Sequence, residues 1–178
     1  MYLGKGETIY LAGGCFWGVE ELFRQIKGVR QTTVGYANGT GAADANYRRV
    51  CAGGTGFKET VRVEFDSATV PVERILWAYF KVIDPTLQNR QGADIGEQYQ
   101  AGVYWEPDDE ELGAAVREAC DHERTRVLES GRPFYVEVQK LQNFYAAEDY
   151  HQRYLVNNPG GYCHISRSEM AEVLSELG

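Results

Sequence analysis

A cysteine set between glycines and aromatic residues is the most distinctive feature of the sequence. The run Gly13-Gly14-Cys15-Phe16-Trp17-Gly18 falls between a predicted strand and a predicted helix. Two glycines permit a tight turn and let the backbone come close to a ligand. Cys15 is then expected in the first turn of the helix, where free N–H groups and the helix dipole favour a thiolate. We interpret Cys15 as a reactive nucleophile, although burial among core aromatics is the usual fate of a cysteine.

The other three cysteines have unrelated surroundings. They stand at positions 51, 120 and 163, and no Cys-x-x-Cys pair is present. Cys120 falls on the apolar face of a predicted helix, so core packing explains it. The ligand spacing of a zinc site is absent, because His164 is the only histidine next to a cysteine. We therefore expect no metal.

Length and charge limit the class of protein. The chain has 178 residues, 43% hydrophobic and 25% charged, which is ordinary for one globular domain over residues 1–178. Its net charge is −8 and it has no run of Lys and Arg, which argues against a nucleic-acid partner. No apolar stretch is long enough to span a bilayer, and the first residues lack the apolar core of a signal peptide. We therefore expect a cytoplasmic protein without a membrane partner.

The elements that must position Cys15 are predicted by hydrophobic periodicity. Val19, Leu22, Phe23 and Ile26 recur at helical spacing after the cysteine, and Gly28 is placed to end that helix. The Gly-, Ala- and Asn-rich segment 37–57 is expected to be an irregular surface loop. The predicted strands cover 8–12, 29–36, 60–65, 101–105 and 136–141, and the predicted helices cover 19–26, 71–83, 107–130 and 146–157.

The first six predicted elements follow the order β-α-β-β-α-β. This is the split βαβ arrangement of a ferredoxin-like fold, in which helices cover one face of a sheet. We predict an α+β two-layer sandwich with a mixed, largely antiparallel sheet. Residues after Pro159 begin with glycines and are expected to form an irregular C-terminal tail.

Ordered motifs along the chain resemble those of one known family. Gly14-Cys15-Phe16-Trp17-Gly18 is similar to the signature of the A-type peptide methionine sulfoxide reductases. The likeness covers roughly residues 8 to 166. It continues through Val34-Gly-Tyr-Ala-Asn-Gly, Tyr47-Arg-Arg-Val-Cys51, Thr55-Gly56, Glu59, Asp84-Pro-Thr, Gln91-Gly92, Asp94, Tyr99 and Asn157-Asn-Pro-Gly-Gly-Tyr-Cys163-His164.

The resemblance implies a role for each group that sulfoxide chemistry needs. The sulfur of a sulfoxide accepts attack from a thiolate, and its oxygen must gain protons before it leaves. The site therefore needs a nucleophile, an acid, hydrogen-bond donors and an apolar seat for the methyl group. The resemblance assigns attack to Cys15, protonation to Glu59, the oxygen contacts to Tyr47 and Tyr99, support to Asp94, and substrate binding to Gly14, Phe16 and Trp17.

Four of these residues would not be selected from the sequence without the family. Glu59 begins a strand, where a lone glutamate is usually a solvated surface charge, and an acid there needs burial to raise its pKa. Tyr47 and Tyr99 are two of 12 tyrosines. Asp94 lies in a glycine-containing segment and is typical of a turn.

The same resemblance implies a thiol cycle without a bound cofactor. Reduction of methionine-S-sulfoxide, free or in oxidised proteins, leaves Cys15 as a sulfenic acid. A second thiol then forms a disulfide, which thioredoxin or another dithiol reduces. Cys163 is the first candidate for that thiol, because glycines give its segment reach, and Cys51 is the second. We expect a monomer.

The sequence departs from the family pattern at positions without a proposed catalytic role. Phe57 and Ile83 stand where histidine is frequent, and Gln100-Ala101 replaces a frequent Arg-Ser. No cysteine follows Cys163, so a relay through a third thiol in the tail is not expected.

Two other classes of protein fit parts of the sequence. A cysteine hydrolase or acyltransferase needs a histidine to deprotonate its cysteine, and the three histidines are His122, His151 and His164. A non-enzymatic methionine-binding module could use Phe16 and Trp17 as an apolar socket. Consumption of a dithiol in the presence of methionine sulfoxide distinguishes a reductase from both.

Overall fold

The computed structural model describes residues 6–178, which contain eight strands and six α-helices. The strands are β1 (Gly6–Ala12), β2 (Val29–Ala37), β3 (Lys58–Asp66), β4 (Arg90–Gln91), β5 (Asp94–Ile95), β6 (Gly102–Trp105), β7 (Glu137–Lys140) and β8 (Phe144–Ala146). The helices are α1 (Phe16–Phe23), α2 (Tyr47–Ala52), α3 (Val72–Val82), α4 (Glu110–Glu129), α5 (Tyr154–Asn157) and α6 (Arg167–Leu177).

A six-stranded sheet organises the fold, with strand order β7-β6-β1-β3-β2-β8. All neighbouring strands are antiparallel except β6 and β7, which are parallel. The four central strands and helices α1 and α3 follow one another along the chain as β1-α1-β2-β3-α3-β6. The predicted α+β fold with a mixed, largely antiparallel sheet is therefore confirmed, and β7 and β8 extend it at its two edges.

Alternation along β3 places its apolar side chains on one face of this sheet, in the hydrophobic core. Val61, Val63 and Phe65 of β3 are fully buried, and Val63 pairs with Ile9 of β1 while Val61 pairs with Val34 of β2. Each fully buried aliphatic or aromatic side chain contributes about 1.5–3 kcal/mol to folding. Helix α1 contributes Phe16, Val19, Leu22 and Phe23 to this core, so the turn that carries Cys15 leads directly into it.

Three local predictions are wrong. Segment 37–57 contains a 3-10 turn and helix α2, whose start is capped by the Asn46 side chain accepting from Arg49 N–H. The predicted helix over 146–157 is instead the end of β8, a 3-10 turn and the four residues of α5. The residues after Pro159 do not form an irregular tail throughout, because α6 begins at a capping box between Ser166 and Glu169.

The described residues 6–178 contain no helix that is both long and apolar enough to cross a membrane. The assignment of residues 1–178 to one domain stays a prediction.

Candidate active site

The nucleophile candidate lies at the turn between β1 and α1. Cys15 is the N-cap residue of α1 and is 8% exposed. The turn depends on Gly14, which has a φ of +86°, and a Cβ at this position would lie 2.8 Å from the Cβ of Gln91. Only glycine satisfies both constraints without a shift. Gly14 therefore lets the backbone next to Cys15 lie close to the segment around Gln91.

Glu59 lies beside this turn, at the start of β3. Its carboxylate oxygen accepts a hydrogen bond of 3.2 Å from the Phe16 N–H, and its side chain is 2% exposed. The interpretation of Glu59 as a solvated surface charge is therefore wrong. Burial raises the pKa of Glu59 to about 8, and the negative charge of Asp94 adds to that rise while the Phe16 N–H opposes it. At neutral pH, Glu59 is mainly a carboxylic acid.

Cys15 is also protonated at neutral pH. Burial is the main cause that raises the pKa of the Cys15 thiol, and the negative charges of Glu59 and Asp94 raise it further. The Trp17 N–H lowers this pKa but does not offset burial. The predicted effect of the helix N-terminus is therefore present, but burial and the acidic neighbours outweigh it. The site instead stores one proton on sulfur and one on the carboxyl group.

Two tyrosines and an aspartate reach the same centre from other segments. Tyr47 opens α2, Tyr99 ends a 3-10 turn that contacts β3, and Asp94 lies on β5. Burial is the main cause that raises the pKa of both tyrosines. Cys51 is the next cause for Tyr47, and interactions with Glu59 and Cys15 also raise the pKa of both hydroxyls. Both hydroxyls therefore remain donors at neutral pH. The structure brings all five predicted catalytic residues into one cluster.

Aromatic rings form the wall next to Cys15. Phe16 is buried against Tyr36, with ring centroids 5.8 Å apart. Trp17 stacks on Tyr154 at 3.7 Å, and its Nε1–H donates a 3.0 Å hydrogen bond to His151 Nδ1. The orientation of the indole is thus fixed from two sides, which leaves a preformed apolar surface.

The sequence interpretation missed the segment that supports this wall. His151 is 1% exposed and packs against both Phe16 and Tyr47. Glu148 accepts hydrogen bonds from the Tyr36 hydroxyl and from the Tyr47 N–H. The sequence does carry a local indication of this role, because the run Glu148-Asp-Tyr-His151 combines a histidine with acidic and aromatic residues. The predicted helix over 146–157 includes this run and gives it no place in the site.

The remaining cysteines are free thiols in three different settings. Cys163 is partly exposed in the segment between α5 and α6, and its Sγ donates to the Ile165 carbonyl at 3.0 Å. Cys51 is exposed on α2 beside the Tyr47 hydroxyl. Cys120 is 1% exposed on α4, which confirms its assignment to the core.

The departures from the family pattern surround the site without entering it. Phe57 is fully buried and packs against Tyr36, and Ile83 is buried next to Gly13. Gln100 accepts from the Asn89 N–H and donates to the Tyr135 carbonyl. In residues 6–178 no three His, Cys, Asp or Glu side chains are arranged to hold a metal ion.

The site combines a buried thiol with a buried carboxylic acid, two hydroxyl groups and an aromatic wall. This combination is typical of a thiol enzyme whose substrate carries a small polar group next to an apolar one. Comparison with known proteins gives the family. The family model described as Peptide methionine sulfoxide reductase matches residues 7–177. The chain belongs to this family, and its activity is the thiol-dependent reduction of methionine sulfoxide.

Individual relatives agree with this assignment. The peptide methionine sulfoxide reductase MsrA of Clostridium acetobutylicum is 47% identical over 161 residues, covering 90% of this chain and 96% of the relative. The crystal structure of reduced Mxr1 from Saccharomyces cerevisiae has a TM-score of 0.80 at 32% identity, covering 91% of this chain and 92% of Mxr1. Methionine sulfoxide reductase A of Corynebacterium diphtheriae has a TM-score of 0.83 at 35% identity, covering 89% and 77%. The hydrolase and binding-module alternatives are set aside.

Proposed function

We propose that this chain reduces methionine-S-sulfoxide, free or in oxidised proteins, through a sulfenic acid on Cys15. Cys163 resolves that sulfenic acid, and thioredoxin or another dithiol reduces the resulting disulfide. The observation that carries the proposal is the 3.2 Å hydrogen bond from Phe16 N–H to Glu59, which fixes a protonated carboxyl group beside the nucleophile.

In the first step, Cys15 Sγ attacks the sulfur of the sulfoxide while Glu59 gives its proton to the oxygen. This attack forms a bond between Cys15 Sγ and the methionine sulfur. That bond and the S–O bond then both break as the hydroxyl group passes to Cys15 as a sulfenic acid, and methionine is released. The proton of the attacking thiol returns Glu59 to its acid form. Thiol and sulfoxide are thereby converted into sulfenic acid and sulfide, with no net uptake of protons.

The hydroxyl groups of Tyr47 and Tyr99 support this step by donating to the oxygen as negative charge develops on it. Donors that are already in place lower the barrier because they do not reorganise during the reaction. Asp94 accepts a 3.0 Å hydrogen bond from the Tyr162 hydroxyl and contributes negative charge near Glu59. We assign Asp94 the role of keeping Glu59 protonated.

The positions of the methyl-binding surface and of the groups that contact the oxygen predict that the enzyme accepts only one epimer of the sulfoxide. Phe16 and Trp17 hold the ε-methyl group, while Glu59 and the tyrosines hold the oxygen, so only one configuration turns its sulfur towards Cys15. In a racemic mixture of methionine sulfoxide with excess dithiothreitol, we expect the S epimer to be consumed and the R epimer to remain. Chiral chromatography of the residual sulfoxide measures this. Equal consumption of both epimers would contradict the proposed pocket.

In the second step, the Cys163 thiol attacks the sulfur of the Cys15 sulfenic acid. The new S–S bond replaces the S–O bond, and the hydroxyl leaves as water with the thiol proton. A thiol held within the same chain has a high effective concentration, which favours it over an external reductant. The dithiol partner then reduces the Cys15–Cys163 disulfide by thiol–disulfide exchange and is itself oxidised to a disulfide. A complex of yeast Mxr1 with Trx2 has been solved.

Replacing Cys163 by serine is expected to stop the cycle after one turnover. Cys163→Ser retains Cys15 and Glu59, so it should still reduce about one equivalent of sulfoxide, and dimedone should then trap the sulfenic acid. Thioredoxin-dependent cycling should collapse. Cys51→Ser is the matched control and should cycle normally. A Cys15–Cys51 disulfide in the peptide map of the wild-type protein would instead assign resolution to Cys51.

The absence of a bound cofactor and of a nucleic-acid partner, the monomeric state and the cytoplasmic location predicted from the sequence remain proposals. Light scattering and cell fractionation test the last two.

A further inference from the structure

The segment that carries Cys163 is docked on the nucleophile turn. His164 Nε2 lies 2.8 Å from the Gly13 carbonyl oxygen. A carbonyl only accepts hydrogen bonds, so the His164 Nε2–H donates, and a neutral ring then carries no proton on Nδ1. This bond joins the residue after Cys163 to the turn two residues before Cys15. The segment that carries the second thiol is therefore held to the turn that carries the first by a hydrogen bond, and does not extend from it as a free tail.

Two glycines of the motif provide the seat for this contact. A Cβ on Gly14 would lie 3.0 Å from His164 Nε2. A Cβ on Gly18 would lie 3.1 Å from His164 Nδ1 and 3.0 Å from Cys163 Sγ. Such separations are shorter than ordinary van der Waals contact, so a Cβ at Gly18 requires the Cys163 and His164 side chains to move by a few tenths of an ångström. Glycine within a helix costs about 0.5–1 kcal/mol relative to alanine, and close approach of Cys163 explains why α1 carries one here.

We infer that His164 and Gly18 are positioning residues for the disulfide-forming step, because together they hold Cys163 Sγ against the first turn of α1 beside Cys15. The inference rests on the proposed role of Cys163 as the resolving thiol. Disulfide bonds form only within a narrow range of geometry, so a small outward shift of the segment lowers the rate of S–S formation. The reduction step itself needs neither residue.

Two substitutions at His164 separate the hydrogen bond from the rest of the ring. The amide of glutamine places its nitrogen near the position of His164 Nε2 and keeps the donor to Gly13, whereas asparagine places its amide near Nδ1 and loses it. After mixing with one equivalent of sulfoxide, we expect a sulfenic acid that dimedone traps for about tenfold longer in His164→Asn than in the wild type. His164→Gln should lie within about threefold of the wild type. Equal lifetimes in His164→Asn and the wild type would overturn the role of His164.

Substitution of Gly18 tests the seat independently. Gly18→Ala should reduce one equivalent of sulfoxide at the wild-type rate and then form the Cys15–Cys163 disulfide about tenfold more slowly. Gly160→Ala is the matched control in the Cys163 segment, because a Cβ there meets no atom within 4 Å, and it should behave as the wild type. Thermal unfolding of each variant shows whether it is folded. Rapid disulfide formation in a folded Gly18→Ala would overturn the role of Gly18.

If Cys163→Ser stalls as a sulfenic acid while His164→Asn and Gly18→Ala cycle normally, Cys163 resolves but needs no positioning. If Cys163→Ser cycles normally, the resolving thiol lies elsewhere and the inference falls with it.

Discussion

Replacing Cys15 by serine is expected to abolish sulfoxide reduction while leaving the fold intact. A serine hydroxyl is a far weaker nucleophile towards sulfur, and no other thiol occupies the turn between β1 and α1 in the described structure. Loss of an enzyme's nucleophile lowers the rate by about 10⁴-fold or more. The change is nearly isosteric at a site that is 8% exposed, so little stability is lost. Chromatographic measurement of methionine formed from methionine sulfoxide and dithiothreitol tests this.

The matched control is a second buried cysteine. Cys120 lies in the core on α4, away from the turn, so Cys120→Ala removes a sulfur without touching the chemistry. It should cost about 1–2 kcal/mol of stability and retain activity. Substantial reductase activity in Cys15→Ser would contradict the proposed mechanism.

Glu59→Gln is expected to slow the reduction step by about 10²-fold or more. Glutamine preserves the shape of the side chain and can accept the Phe16 N–H bond through its oxygen, but it cannot give a proton to the departing oxygen. The single-turnover rate of sulfoxide reduction isolates this step from disulfide formation and recycling. An unchanged rate would mean that another group supplies the proton.

The pH dependence of the same rate provides a second readout for Glu59. Because its pKa is raised to about 8, Glu59 holds its proton below that pH and loses it as the pH rises further. The active form is the acid, so the wild-type rate should be level below about pH 8 and should fall about tenfold per pH unit well above it. Glu59→Gln should lack this decline. A wild-type rate that rises through pH 8 would show that the carboxylate, acting as a base, is the active form.

Glu20 provides the matched control for a buried carboxyl group. It is 2% exposed on α1 and accepts hydrogen bonds from Thr32 Oγ1 at 2.8 Å and from Arg153 N at 2.6 Å. Glu20→Gln removes a buried acid of the same size that faces away from the thiol. Any loss should appear in the melting temperature, with the single-turnover rate retained.

The long, periodic elements could be predicted from the sequence because their own residues encode them. Helices α3 and α4 and strand β3 bury one face at regular spacing, and each lies within a few residues of its predicted position. Segment 144–157 could not be predicted, because distant contacts decide its structure. The Gln152 side chain, for example, bonds both the N–H and the carbonyl of Val34. Such a partner, 118 residues away, leaves no local pattern.

The site divides in the same way. The motif around Cys15 is local and was readable from its glycines and aromatics, whereas Tyr47, Tyr99 and Asp94 required the family. Glu59 has a local signal as well, because it shares the inward face of β3 with Val61 and Val63 at a spacing of two. For Cys15, the N–H groups of the helix N-terminus are local, while the burial and acidic neighbours that raise the pKa of its thiol come from other elements.

The bond between Gly13 and His164 has a consequence for biosynthesis, since it joins residues 151 positions apart. The nucleophile is synthesised early, whereas residues 144–164, which cover it, follow about 130–150 residues later. At a translation speed of about 5–20 residues per second, the interval is roughly 7–30 s. During this interval, the Trp17–His151 contact has not formed and the Cys163 segment has not docked beside Cys15. The nascent chain therefore exposes Cys15 more than the folded protein does, and the site is complete only after His164 has been added.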